Sequence, residues 1–342
     1  MATELKRYVC TASSGGDGTT SATSGANAAY AHLNDAIDYI QASYANLVTA
    51  DVYVNIEITG DNSAADTTAV DISSITTDAT RYVNIYTTSG CRHDGKYNTA
   101  KYRNETTSYI GFAVSVNYIR ITGLQIKNST SGSSHWDVAF YVAATNYTGQ
   151  HRFDKLVIVS GGSAGFINFE AGDLIISNSV FIASGVYGLE VSGTWSNPTG
   201  NQILNCVCIT KANSYGLNGG TGSYAITIKN TYAYSNGANA DFAGTANYTT
   251  CASSDGSAST ATVAYSTSSG AYFTNVSDGS EDFHIGTSSS LKDAGTDLSA
   301  TFTDDINGNT RSGTWDIGAD EYVSGGEPPA ATGFMSTNKG MW

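Results

Sequence analysis

Hydrolysing a glycosidic bond by the usual route takes two carboxyl groups about 5 to 10 Å apart, one of them held protonated. Few acids in this chain are placed for that work. Glu170 and Glu190 lie nearest a repeated short strand, but Glu170 stands three positions further past its landmark Phe166 than Glu190 does past Leu189. They could approach only across one repeat, and a solvated pair is the plainer reading. The one Asp-Asp pair, Asp304-Asp305, falls near the C-terminal end. Asp305-x-Asn307-x-Asn309 matches part of a calcium loop, yet Gly308 comes one place early and the bidentate Glu is missing. Arg311 paired with Asp316 or Asp305 is the expected use of that region. Cys10, Cys91, Cys206, Cys208 and Cys251 have no metal-ligand spacing, and an odd count argues for free thiols. Cys206 and Cys208 should both point away from the Val207 face. No metal and no cofactor is expected.

Rings offer a second chemistry. Trp136, Tyr141, Tyr187, Trp195 and Tyr215 fall in or beside turns of successive repeats. Aromatic rings in such places can stack on sugar faces, so these five form the candidate glycan-binding set, with ordinary loop packing as the plain alternative. The loop Arg92 to Arg103 is the most basic stretch and has interleaved tyrosines. Sugar binding or catalysis is conceivable there, but a loop packed along the wall, with Arg92 and Arg103 paired to acids, is preferred.

The elements that must position these groups repeat. Ile176-x-Asn178-x-Val180-x-Ile182, Ile203-x-Asn205-x-Val207-x-Ile209 and Ile228-x-Asn230-x-Tyr232-x-Tyr234 share one form, with asparagines 27 and then 25 residues apart. Phe153-x-Lys155-x-Val157-x-Val159 precedes them. A second landmark follows each: Ala139-Phe140, Gly165-Phe166, Gly188-Leu189, Gly216-Leu217 and Asp241-Phe242. Alternation at period 2 means strands, and a period near 25 means stacked coils. The expected fold is all-β, a right-handed parallel β-helix with coils about 4.8 Å apart. The asparagines should form one column at one turn, bonding to equivalent backbone above and below, as in cross-β ladders.

Composition agrees. Charged residues are 13%, against roughly 25% in typical domains, and only three prolines occur. The net charge is −14, from 30 acidic and 16 basic side chains, which disfavours nucleic acid and anionic membranes as partners. No export signal or membrane-length apolar run is read at the start or elsewhere.

Three parts are expected. Residues 1–50 hold a Gly/Ser/Thr-rich loop and a helix over Ala26 to Leu47 that caps the solenoid. Residues 51–322 form the β-helix, closed by a terminal cap coil. Residues 323–342 form an extended tail, begun by two glycines and two prolines. Its Phe334, Met335, Met341 and Trp342 are the expected docking residues, since a merely disordered tail would rarely carry them.

Asp282-Phe-His-Ile285, Asp293-Ala-Gly295, Asp305-Ile-Asn-Gly-Asn-Thr-Arg311 and Asp316-Ile-Gly-Ala-Asp-Glu-Tyr322 together resemble the C-terminal signature of many right-handed β-helix proteins of the pectate-lyase-like superfamily. Ser14-Gly-Gly-Asp17, Tyr82-Val-Asn-Ile-Tyr86 and the loop Arg92 to Arg103 resemble uncharacterised β-helix proteins of tailed phages and prophages. The similarities cover most of residues 14 to 322. They imply the fold and a phage setting, and little about chemistry. The N-T-D and H-G motifs of polygalacturonase-like hydrolases are missing from this sequence. The reading is therefore a structural virion protein, a decoration, fibre or spike-type subunit made in the host cytoplasm. Its expected partners are other virion proteins, further copies of itself (a trimer being one form) and a host surface glycan. A polysaccharide-degrading tailspike or lyase is the alternative, and a bacterial surface adhesin the second.

Overall fold

The structure, a computed structural model, describes residues 2–132, 136–143, 149–169, 173–192, 200–220, 226–258, 260–267 and 273–324. The tail residues Phe334, Met335, Met341 and Trp342 lie outside them, as do Glu170 and Trp195.

The chain winds as a right-handed parallel β-helix with three long sheets. The first has nine strands, from Thr3–Val9 to Ala246–Thr249; the second has eight, from Asn104–Thr106 to Ala261–Thr262; the third has seven, from Val70–Ile72 to Phe242–Ala243. One coil runs Asp173–Ser177, Val180–Ala183 and Tyr187–Ser192, then rises to Gln202–Leu204 in the first sheet. Every neighbour within these sheets is parallel, so each coil copies the register of the last.

That register aligns like residues into columns. Ile56, Ile85, Ile121, Phe153, Ile176, Ile203 and Ile228 follow one another up the first sheet. Phe112, Phe140, Phe166, Leu189, Leu217 and Phe242 do so in the third. All of them are buried and meet inside the tube. Phe112 and Phe140 stand 5.0 Å apart between ring centroids, Phe140 and Phe166 5.1 Å, each pair edge to face. Cys206 and Cys208 also point inward, as free thiols, while Val207 faces out.

Between the first and second sheets the chain turns a corner on one residue with positive φ: Lys155 (54°), Asn178 (47°), Asn205 (53°), Asn230 (50°) and Thr250 (51°). The expected asparagine column is this corner. Left-handed backbone costs an ordinary L-residue about 1 kcal/mol or more, and asparagine tolerates it best after glycine. The side chains differ from expectation in their partners. They turn outward to residues 293–320 as well as to one another.

The helix is shorter than Ala26 to Leu47. It spans Leu33–Ser43, with a single turn at Leu47–Ala50. Asp66 sets its start by taking the Leu33 N–H at 2.8 Å. Before it, Tyr30 exchanges backbone bonds with Tyr8 and Cys10, so that stretch extends the first strand's edge. The helix does cap the solenoid. Asn34 and Gln41 accept the N–H groups of Asp71, Ser73 and Ser74 along the first strand of the third sheet. Thr3–Val9, where the sequence reading placed no strand, is the first strand of the first sheet.

Residues 273–322 form no further coil. They lie along the outside of the second sheet, where Val157, Val180, Ile182, Val207, Ile209 and Tyr232 are covered by Phe273, Phe283, Ile285, Leu291, Ile306 and Ile317. A strand whose two faces are both apolar needs cover on both, and this segment supplies the outer one. Ion pairs pin it: Lys155–Asp304 (2.5 Å), Lys96–Asp282 (2.7 Å) and Lys211–Asp278 (2.8 Å), with Lys211 also on Glu281.

Candidate functional site

The ring-bearing residues gather on the outer face of the third sheet. Trp136 precedes the strand Val138–Val142 and meets its Tyr141 edge to face, with centroids 5.7 Å apart. Tyr187 and Tyr215 open two successive strands, pair in register and stack at 6.2 Å with planes only 8° apart. Between the two pairs lie buried Val138, Ala164 and Ile167, against which Tyr141 and Tyr187 pack. Trp136 is 44% exposed. Four of the five expected residues thus share one face; the fifth, Trp195, lies outside the described residues.

This face arises from the parallel ladder. Tyr141, Ile167, Glu190 and Asn218 stand in one outward column, and Val138, Ala164, Tyr187 and Tyr215 in the next. Glu190 is buried, and its Oε1 accepts from Asn218 Nδ2 at 3.3 Å. Burial raises the Tyr187 phenol, with the Glu190 carboxylate adding to it. The Tyr187 ring is therefore a neutral hydrogen-bonding platform at ordinary pH.

Immediately before these strands the turns from the second sheet stack closely, leaving a shallow groove of about 390 Å³ along the rod. Four successive turns line it, through Gly132, Gly162, Ser163, Gly185, Asn213, Ser214 and their neighbours. Glycine is forced at several of these places. A Cβ on Gly162 would stand 2.7 Å from the Asp137 carbonyl, and one on Gly185 2.5 Å from the Gly162 carbonyl. The groove borders Tyr187 and Tyr215, which directly follow its lining residues Val186 and Ser214. Sequence reading found the rings and missed the groove; the recurrent Ser/Gly turns at 160–163, 183–185 and 212–214 were the available signal.

The remaining candidates are structural. Asp305 accepts the N–H groups of Asn307 and Asn309 with one oxygen, and the Asn309 amide and Glu321 N–H with the other. It organises a turn. Among the described residues no group of three or more His, Cys, Asp or Glu side chains is placed to hold a metal ion. Arg311 pairs with Glu321 at 3.0 Å, in place of the expected Asp316 or Asp305. Its guanidinium also donates to the carbonyls of Gly318, Ala319 and Asp320.

The basic loop packs against the wall. His93 is buried with Nε2 2.7 Å from the Lys155 carbonyl, and burial pushes it down to about 4. Arg103 pairs with Glu105 at 3.2 Å, and Tyr102 donates to Asp66 at 3.0 Å. Arg92 lies against Gly123 and Gly308. The loop is thus a brace between the coils and residues 282–308.

No family model and no curated protein matches the chain. Among solved structures it is similar to the crystal structure of a pectate lyase, Pel9A, at 14% identity and a TM-score of 0.40, over 94% of this chain and 97% of that one. A likeness of that degree is silent on chemistry.

Proposed function

We propose that this chain is a structural protein of a tailed-phage particle, a rigid β-helix rod that docks to other virion proteins and turns its ring-bearing face to a host glycan. The observation that carries the reading is the lengthwise brace. Residues 273–322 cover one flank, and the acids of that segment are engaged in pairs and turns that hold it there. A rod stiffened in this way suits a load-bearing part. The third sheet's outer face keeps its tyrosines beside an open groove. Phe334, Met335, Met341 and Trp342 are the proposed anchors to a neighbouring virion protein, and self-association into an oligomer, such as a trimer, belongs to the same reading. Deleting residues 330–342 tests it. The isolated rod should melt within a degree or two of the full chain, yet fail to enter particles assembled in the host. Normal incorporation of the shortened chain would count against the docking role.

A further inference from the structure

We infer that the groove beside Tyr187 and Tyr215 binds an uncharged glycan laid along the rod axis. The inference rests on reading the ring-bearing face as glycan-facing, and adds where the sugar lies and what kind it is. Small residues alone would make only a close-packed stack of turns. One side chain points to more. Ser163 lines the groove and is 1% exposed, and its hydroxyl has no hydrogen-bond partner. Its backbone is fully engaged, taking the Tyr187 N–H at 3.0 Å and giving its own to the Asp137 carbonyl at 2.8 Å. A buried hydroxyl without a partner is destabilising, and native proteins rarely keep one unless something else completes it.

The groove indicates the partner's chemistry. Among the described residues no charged side chain lines it. Asp137 and Glu190 lie buried nearby, and the molecule as a whole carries −14. Nothing there would compensate a uronate, sulfate or phosphate on a ligand, so an anionic chain would be repelled. What the groove offers is hydroxyl and amide groups from Ser163, Ser214 and Asn213, with flat aromatic rings on its border. Sugar hydroxyls match the first and pyranose faces the second. Four turns at about 4.8 Å rise give a run of roughly 14 Å, room for a short oligosaccharide parallel to the axis.

The test is an array of bacterial surface glycans, neutral and acidic, followed by calorimetric titration of the best binder with the wild type, Ser163→Ala and Tyr215→Ala. Expected is a neutral oligosaccharide whose affinity is indifferent to salt. It should weaken by about tenfold in Ser163→Ala, the worth of one hydrogen bond. The melting temperature of that variant should hold or rise, because the hydroxyl it lacks had no partner inside the protein. Tyr215→Ala should weaken the same ligand. Binding only to acidic glycans, or unchanged affinity in both variants, would overturn the groove assignment and leave the glycan-facing reading standing. Failure to bind any glycan on the array would overturn both.

Discussion

Arg311 Nη2 lies 3.3 Å from Asn178 Oδ1, joining residues 133 positions apart. One belongs to the bracing segment, the other to the left-handed corner of a coil. Asn205 continues the contact, its Nδ2 donating to the Asp316 carbonyl at 3.5 Å and its Oδ1 accepting from Asn230 Nδ2 at 3.3 Å. Asn230 in turn takes the Thr296 N–H at 2.8 Å. The corner column and the brace are therefore one hydrogen-bonded seam.

Removing Arg311 should undo that seam. Its guanidinium is buried with Glu321, and Arg311→Met would leave an unpaired buried carboxylate, at a cost of about 3 to 5 kcal/mol. Urea unfolding would show a lower midpoint, and adding Glu321→Gln should recover part of the loss. A change below about 1 kcal/mol, the usual worth of a surface pair, would mean the seam contributes little.

Asn205→Leu should destabilise by about 1 to 3 kcal/mol, through left-handed backbone strain and lost amide bonds. Asn205→Gly should cost less, because glycine accepts that φ freely. Equal losses in the two variants would show that the backbone angle is irrelevant and only the amide matters.

The buried histidines predict a pH dependence. Burial, partly offset by a bond to the Val116 carbonyl, holds His151 at about 4, as it does His93. Because the folded value lies below the ordinary 6.5, the unfolded chain binds more protons between those limits. The stability each neutral ring contributes is present above 6.5 and is lost as pH falls toward 4. At about 1.4 kcal/mol per unit the loss reaches roughly 3 kcal/mol for each ring. His284 acts oppositely. Burial works against its cation, but bonding to Asp282 and the charge of Asp320 lift it to about 9, so its contribution is lost as pH rises through that value. Asp320, raised by burial to about 7, favours lower pH and would mask the acid limb. The measurement is therefore a difference: wild type against His151→Gln, in urea, at several pH values from 4 to 7. The gap should narrow as pH falls; a constant gap would refute the assignment.

No polysaccharide cleavage should depend on Glu190 or Asp305. Asp305 has its oxygens occupied by a turn, and Glu190 is buried behind the rings. Incubation with host polysaccharide should release neither reducing nor unsaturated ends. Cleavage abolished by Glu190→Gln would establish the depolymerase reading instead.

Much of the fold was legible because its signal is local. The Ile-x-Asn-x-apolar repeat states both the inward column and the corner, and each coil carries a copy. Thr3–Val9 escaped because Arg7 occupies an inward position, breaking the apolar alternation that announces a strand. Tyr30 looked helical by spacing, yet its backbone pairs with Tyr8, a contact no periodicity records. The brace was hidden for a different reason: its partners lie far off in the sequence, Asn230 66 residues before Thr296 and Lys96 186 before Asp282. A clue existed in Val180-Phe-Ile-Ala183 and Val207-Cys-Ile-Thr210, which are buried throughout and so demand cover on both faces. Of the site, the period placed Tyr187 over Tyr215. Which serine lacks a partner depends on the final geometry of four turns, and no spacing expresses it.

Lys96 reaches Asp282 across 186 residues, and Lys155 reaches Asp304 across 149. Contacts of such separation are slow to form, since the loop must close before they reward it. During synthesis the coils leave the ribosome first and can stack as they come, each on its predecessor. Their second-sheet flank stays bare until residues 273–322 follow. A chain broken off before that point would carry a strip of valine, isoleucine and tyrosine facing water, a patch of the kind that recruits chaperones or other chains. The brace thus doubles as a check on the coils: the stretch made after them is the one that renders their bare flank inert.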